Sequence, residues 1–105
     1  MTNSNVQFWA LGDPTRWQVF ERLQLGGLSV GEIARGLPVS RPAVSQHLKI
    51  LKDAGLVVDH AEGTRRVYRI DPNGLGALRA RLDQFWGAAL ESFAEHISAT
   101  ETQTR

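Results

Sequence analysis

Ser40, Arg41, Pro42, Ser45, Gln46 and Lys49 are the side chains of this sequence best suited to chemistry, and that chemistry is the reading of nucleic-acid edges. At about 100° per residue, Val44, Leu48 and Leu51 form one narrow apolar stripe. Pro42, Ser45, Gln46 and Lys49 gather on the opposite face, with Arg41 at its edge. A helix so patterned packs by one side and presents the other. The Gln46 amide offers the paired donor and acceptor that adenine needs, Ser45 suits a base edge or a phosphate, and Arg41 reaches guanine or a phosphate. Lys49, a flexible point charge, is expected on the phosphate backbone. Asp53 shares the face but lies at the far helix end, where an acid would stay clear of phosphate. His47 projects on the flank of the apolar stripe and is expected to be a partly buried structural histidine.

The flanking residues position this helix. Ser40 is an N-cap, Arg41 and Pro42 fall in the first turn where a missing amide hydrogen does no harm, and Gly55 supplies a stop. Upstream, Phe8, Trp9 and Leu11 form a short apolar helical segment before Gly12. Asp13 and Pro14 then open a helix whose core stripe is Val19, Phe20 and Leu23, closed by Gly26 and Gly27. Arg16 is expected to be a structural ion-pair or capping residue. A third helix runs from Val30 to Arg35 after Ser29, and Leu37, Pro38 and Val39 turn the chain into the reading helix. Two short helices joined by a tight turn predict a helix-turn-helix. Residues 56–58 and 67–70 predict strands around 61–64, where Gly63 suits a hairpin turn. Arg65 and Arg66 follow the tip, where a wing would track the DNA backbone or enter the minor groove.

Asp71, Pro72, Asn73 and Gly74 read as a break before a long helix with apolar residues at Leu75, Leu78, Leu82, Phe85, Trp86, Ala89, Leu90, Phe93 and Ile97. From Leu75 to Ile97 that helix spans about 34 Å at roughly 1.5 Å per residue, more than a small three-helix core can cover. Phe85 and Trp86, being adjacent, cannot face the same groove. A homodimer interface built from Phe8, Trp9, Leu78, Leu82, Phe85, Trp86, Leu90 and Phe93 is therefore expected. The fold class predicted is mainly α with a β-hairpin wing, a dimeric winged helix-turn-helix in the order α-α-α-α-β-β-α. A single domain is expected over 7–97, with 1–6 and 98–105 disordered.

Composition narrows the function classes. The net charge is only +1, from 12 basic and 11 acidic residues, but it is unevenly spread. Basic residues concentrate between Ser40 and Ile70, whereas 82–101 carries only acids. With no cysteine, disulfides, thiolate metal sites and thiol chemistry are excluded. No run of about 18 apolar residues and no signal-like leader occurs, which predicts a cytoplasmic chain without a membrane partner. His47, His60 and His96 lie in separate elements without a spaced carboxylate, and no nucleophile motif or phosphate-cradling glycine loop is present. The sequence predicts neither an enzyme nor a bound cofactor.

Three segments together carry a resemblance: LGDPTRWQVFERL (11–23), VGEIARGLPVSRPAVSQHLKILKDAGLV (30–57) and EGTRRVYRI (62–70). In this order and spacing they resemble the ArsR/SmtB family of bacterial winged-helix repressors. The resemblance implies a homodimer, held by its first and last helices, that binds a double-stranded operator with inverted-repeat half-sites; the expected role is that of a repressor, with its own promoter as one candidate target. Many members sense metals. The thiolate positions of the family's Cys-x-Cys motif fall on Ser29 and Gly31, neither a soft-metal ligand. The alternative site on the last helix maps to Asp83, Phe85, His96 and Ala99, where only Asp83 and His96 can donate, against the four ligands zinc prefers. The chain is thus similar to the metal-independent subgroup, and no residue pattern names another effector. Two alternatives stand beside this reading: a winged helix used only for protein contacts, and a family member sensing zinc through its last helix.

Overall fold

The computed structural model describes residues 4–103, in the order α1 (Ser4–Leu11), α2 (Pro14–Arg22), α3 (Val30–Arg35), α4 (Arg41–Asp53), β1 (Val57–Glu62), β2 (Arg65–Ile70) and α5 (Pro72–Gln103). This is the mainly helical, hairpin-bearing winged helix-turn-helix predicted above.

Local chemistry sets most of the boundaries. The Asp13 carboxylate accepts the Arg16 backbone N–H at 2.8 Å, with Pro14 opening α2. At α3, the Ser29 hydroxyl accepts from the Glu32 N–H while the Glu32 carboxylate accepts from the Ser29 N–H, a reciprocal capping box. The Ser40 hydroxyl accepts from the Ala43 N–H and starts α4. The far end of α4 closes in a Schellman motif. Gly55 turns at φ 77°, its N–H donates to the Lys52 carbonyl, and the Leu56 N–H donates to the Leu51 carbonyl, both at 2.9 Å.

Val44, Leu48 and Leu51 of α4 are fully buried, together with Val19 of α2, Ile33 of α3 and Leu56. Each such aliphatic contributes about 1.5–3 kcal/mol of transfer free energy, so the apolar stripe fixes which face of α4 is left for solvent. The hairpin pairs antiparallel from Val57 with Ile70 to Glu62 with Arg65, around a tight turn in which Gly63 takes φ 63°. Both strands run further toward the tip than their apolar residues predict, because ladder hydrogen bonds carry the polar residues along. Leu28 adds a bridge the sequence did not announce: it exchanges backbone hydrogen bonds with Tyr68 at 2.9 and 2.8 Å, tying the α2–α3 connection to the wing.

Three expectations about the termini and α5 are corrected. Residues 71–74 start the last helix rather than interrupt the chain, since Asp71 accepts the Asn73 N–H at 3.0 Å and Pro72 takes the first helical position, the device already used at Asp13 and Pro14. Leu78 is 8% exposed and belongs to the chain's own core, not to an outward face. The helical period continues unbroken through it, so periodicity cannot mark where the domain ends. The helices also reach into segments expected to be disordered, α1 from Ser4 and α5 to Gln103. No glycine or proline breaks the chain after Gly87, and the Thr100 hydroxyl donates back to the His96 carbonyl at 2.9 Å. The remaining residues of those segments, 1–3 and 104–105, lie outside the described residues.

The launch of α5 is unusually close. Gly74 lies so near Gly55 that a side-chain carbon on it would run into the Gly55 carbonyl oxygen. Gln7, fully buried in α1, donates its amide N–H to the Gly74 carbonyl at 2.9 Å. Past Leu78, α5 leaves the core and draws the chain out to 71 × 29 × 21 Å. Among the described residues no helix is long and apolar enough to cross a membrane.

Candidate nucleic-acid interface

Ser40, the cap of α4, and Arg41, Pro42, Ser45, Gln46 and Lys49 on that helix are all exposed. The fold brings them together on the face opposite the buried stripe, as the periodicity predicts. The Ser40 hydroxyl is occupied by its capping bond. The side chains of Arg41, Gln46 and Lys49 make no hydrogen bond or ion pair among the described residues. Their donors and acceptors are left unpaired among the described residues.

The wing differs. Arg65 and Arg66 are exposed on β2, but Arg65 Nη1 lies 3.1 Å from Glu32 Oε1, and Arg66 Nη1 donates to Asp59 Oδ2 at 2.9 Å. Lys52, from the last turn of α4, holds the other Asp59 oxygen at 2.6 Å. The hydrogen bond from Lys52 lowers the Asp59 carboxyl below the usual aspartate range; burial opposes it, and the bond from Arg66 adds to the lowering. Glu32 is likewise lowered, first by the Ser29 backbone N–H, then by the Ser29 hydroxyl, with a smaller contribution from the Arg65 charge. Sequence reasoning missed Glu32, Lys52 and Asp59 as partners of this surface. One of them was within reach: once Gly63 fixes the hairpin register, Asp59 and Arg66 fall on diagonal positions of neighbouring strands.

His47 is half-buried as expected, and its Nδ1 is buried without a hydrogen-bond partner. Arg16 is buried and acts as a cap rather than an ion pair. Its Nε donates to the Ala10 carbonyl at the end of α1, and its guanidinium sits 5.0 Å over the Trp9 ring.

At the family's soft-metal positions the residues present carry no thiolate, and the last-helix positions offer only Asp83 and His96 as donors. Ser29 is committed to the α3 capping box. Gly31 has no donor, and a cation already rests there, because the Arg41 guanidinium lies against its Cα. On α5, Asp83 pairs with Arg79 at 3.9 Å, and Phe85 presents a ring. Among the described residues no group of three or more histidines or acids is placed to hold a metal.

A helix-turn-helix domain profile matches residues 11–60. The chain is 59% identical over 95 residues to the HTH-type transcriptional regulator Rv2034 of Mycobacterium tuberculosis, covering 90% of this chain and 89% of that protein. It is 32% identical over 80 residues to the arsenical resistance operon repressor of Escherichia coli, covering 75% of this chain and 68% of the repressor. The solved ArsR-like transcriptional regulator from Rhodococcus sp. RHA1 superimposes with a TM-score of 0.75 at 31% identity, over 87% of this chain and 86% of that one. Likeness of this extent in sequence and in fold, joined to an exposed reading helix and a wing, places the chain in the ArsR/SmtB family of DNA-binding transcriptional regulators.

Proposed function

We propose that this chain is a cytoplasmic, homodimeric repressor that occupies an inverted-repeat operator, its own promoter included, without a metal effector. The observation that carries the dimer is the apolar surface of α5. Leu82, Phe85, Trp86, Leu90, Phe93 and Ile97 are each at least 40% exposed, Phe8 of α1 lines the same hollow as Leu82 and Phe85, and Trp9 is exposed on α1. Large apolar side chains in a contiguous row mark an association surface, and a second copy of the same stripe is self-complementary about a two-fold axis. Two copies of α4 then address successive major-groove faces, with half-site centres about 10 bp apart or a multiple of that. Gln46, Ser45 and Arg41 read bases or their flanking phosphates, and Lys49, Arg65 and Arg66 meet the backbone. Repression follows the name borne by the Escherichia coli relative. Its arsenical response does not carry over, because Ser29 and Gly31 supply no thiolate.

Sedimentation at micromolar concentration tests this directly. Wild type should run at twice the chain mass, and the double variant Leu82→Glu, Phe85→Glu should run as a folded monomer that no longer shifts promoter DNA. A monomeric wild type that still binds DNA tightly would overturn the dimeric reading.

A further inference from the structure

A side-chain carbon on Gly31 would point straight at the guanidinium of Arg41, 3.1 Å from Nη2, 3.2 Å from Cζ and 3.6 Å from Nη1. The three distances are similar, so the planar group lies across the bare Cα of Gly31 with one face against α3. A guanidinium is weakly hydrated on its faces and donates only in its plane. Contact through a face therefore leaves every N–H free, and Arg41 forms no hydrogen bond or ion pair among the described residues. Arg41 is held but not used up. Nor does Gly31 need to be glycine for its own backbone, because it lies inside α3 without a positive φ.

We propose that Gly31 is a positioning residue for DNA binding: the absence of its side chain forms the seat that pre-orders Arg41, the first residue of the reading helix, for a nucleic-acid contact. This rests on the DNA reading of α4. The seat lowers the conformational freedom that Arg41 must surrender on the duplex, and one added carbon pushes the guanidinium out by a few tenths of an ångström, a larger side chain further. An immobilised long side chain costs on the order of 0.5–1.5 kcal/mol on association, which corresponds to about twofold to tenfold in affinity. The sign on stability is the opposite. Alanine in place of a helical glycine of ordinary φ raises stability, and the atoms it crowds are the far end of a flexible side chain.

The test is a double-mutant cycle on a labelled duplex that wild-type protein selects from a random pool. Gly31→Ala and Gly31→Val are each made with Arg41 present and with Arg41→Ala, and each is melted in parallel. Gly31→Ala should weaken binding about twofold and Gly31→Val up to about tenfold, the two limits of that range. Neither should have an effect in the Arg41→Ala background, and the melting temperature of Gly31→Ala should not fall. Equal losses with and without Arg41, or no loss with Gly31→Val, would overturn the seat while leaving DNA binding intact. A wild-type chain that selected no duplex at low salt would remove the DNA reading and the seat together.

Discussion

The reading helix and the wing both carry exposed cations, yet they hold them in different ways. Among the described residues Arg41 and Lys49 on α4 have no acidic partner, whereas Arg65 and Arg66 on β2 and Lys52 at the end of α4 share the carboxylates of Glu32 and Asp59. Exposure is therefore a poor measure of availability. A free cation meets a phosphate at the cost of its hydration, while a paired one must also leave its carboxylate, which stays behind as a like charge to the DNA. The cations of these pairs are half exposed, although the Asp59 carboxylate is largely buried, and pairs reached by solvent are individually worth only about 0.2–1 kcal/mol, so the wing is restrained rather than disabled. If the chain binds DNA as proposed, the contrast leaves sequence reading and most of the backbone attraction to α4. The wing becomes a stiffened flank, joined to the rest of the helix-turn-helix through Arg65 and Glu32.

The strongest challenge to that division is base preference. Gln46→Ala should cost about 1–3 kcal/mol on a selected operator and relax the preference at one base position per half-site, with little change on unrelated DNA. Arg65→Ala should leave base preference untouched. Competition binding against single-base operator variants checks both, and a relaxed preference in Arg65→Ala would move readout to the wing.

A smaller effect separates free from paired cations. Lys49→Ala should lessen the slope of log affinity against log salt by about 0.9, the value for one lost phosphate contact. Arg66→Ala should change it by clearly less, because Asp59 already offsets that charge. Equal changes in slope from titrations at several salt concentrations would erase the distinction between the two regions.

The smallest effect has the opposite sign. Asp59→Asn frees Lys52 and Arg66 and removes an acid, so affinity for unrelated duplex should rise by up to about fivefold, the upper range for one surface pair. Stability should move the other way. A carboxyl lowered by folding stabilises above its ordinary value of 3.8 and loses that contribution as pH falls through its folded value. Asp59→Asn should therefore lower the melting temperature at neutral pH and cease to matter in strong acid. Unchanged or weaker DNA binding by this variant would show that the wing cations are not restrained by Asp59.

The reading helix was legible because every determinant of it is local. Ser40, Gly55 and the Val44, Leu48 and Leu51 spacing lie within one segment, and they define its ends and its buried face together. The Asp13 and Pro14 start is legible for the same reason, and the identical pair at Asp71 and Pro72 is masked because Asn73 and Gly74 behind it carry the composition of a turn. Partners distant in sequence were not legible. Nothing near Arg65 points to Glu32, and nothing near Gly31 points to Arg41, since both relations exist only after α3 has packed. Leu78 and Leu82 show the limit of periodicity: they share a stripe, yet the first is buried and the second is 42% exposed.

The meeting of Gly55 and Gly74 has a consequence for how such a protein can diverge. Helices that touch through side chains change their mutual angle as those side chains are exchanged, each core substitution tilting them slightly. Here α5 departs from the end of α4 with main chain resting on main chain, and Gln7 fastens the same point. Substitutions through the core will alter stability long before they alter the bearing of α5 relative to the reading helix. Exposed positions on α4 can therefore change without disturbing that bearing, which is set where Gly55, Gly74 and Gln7 meet.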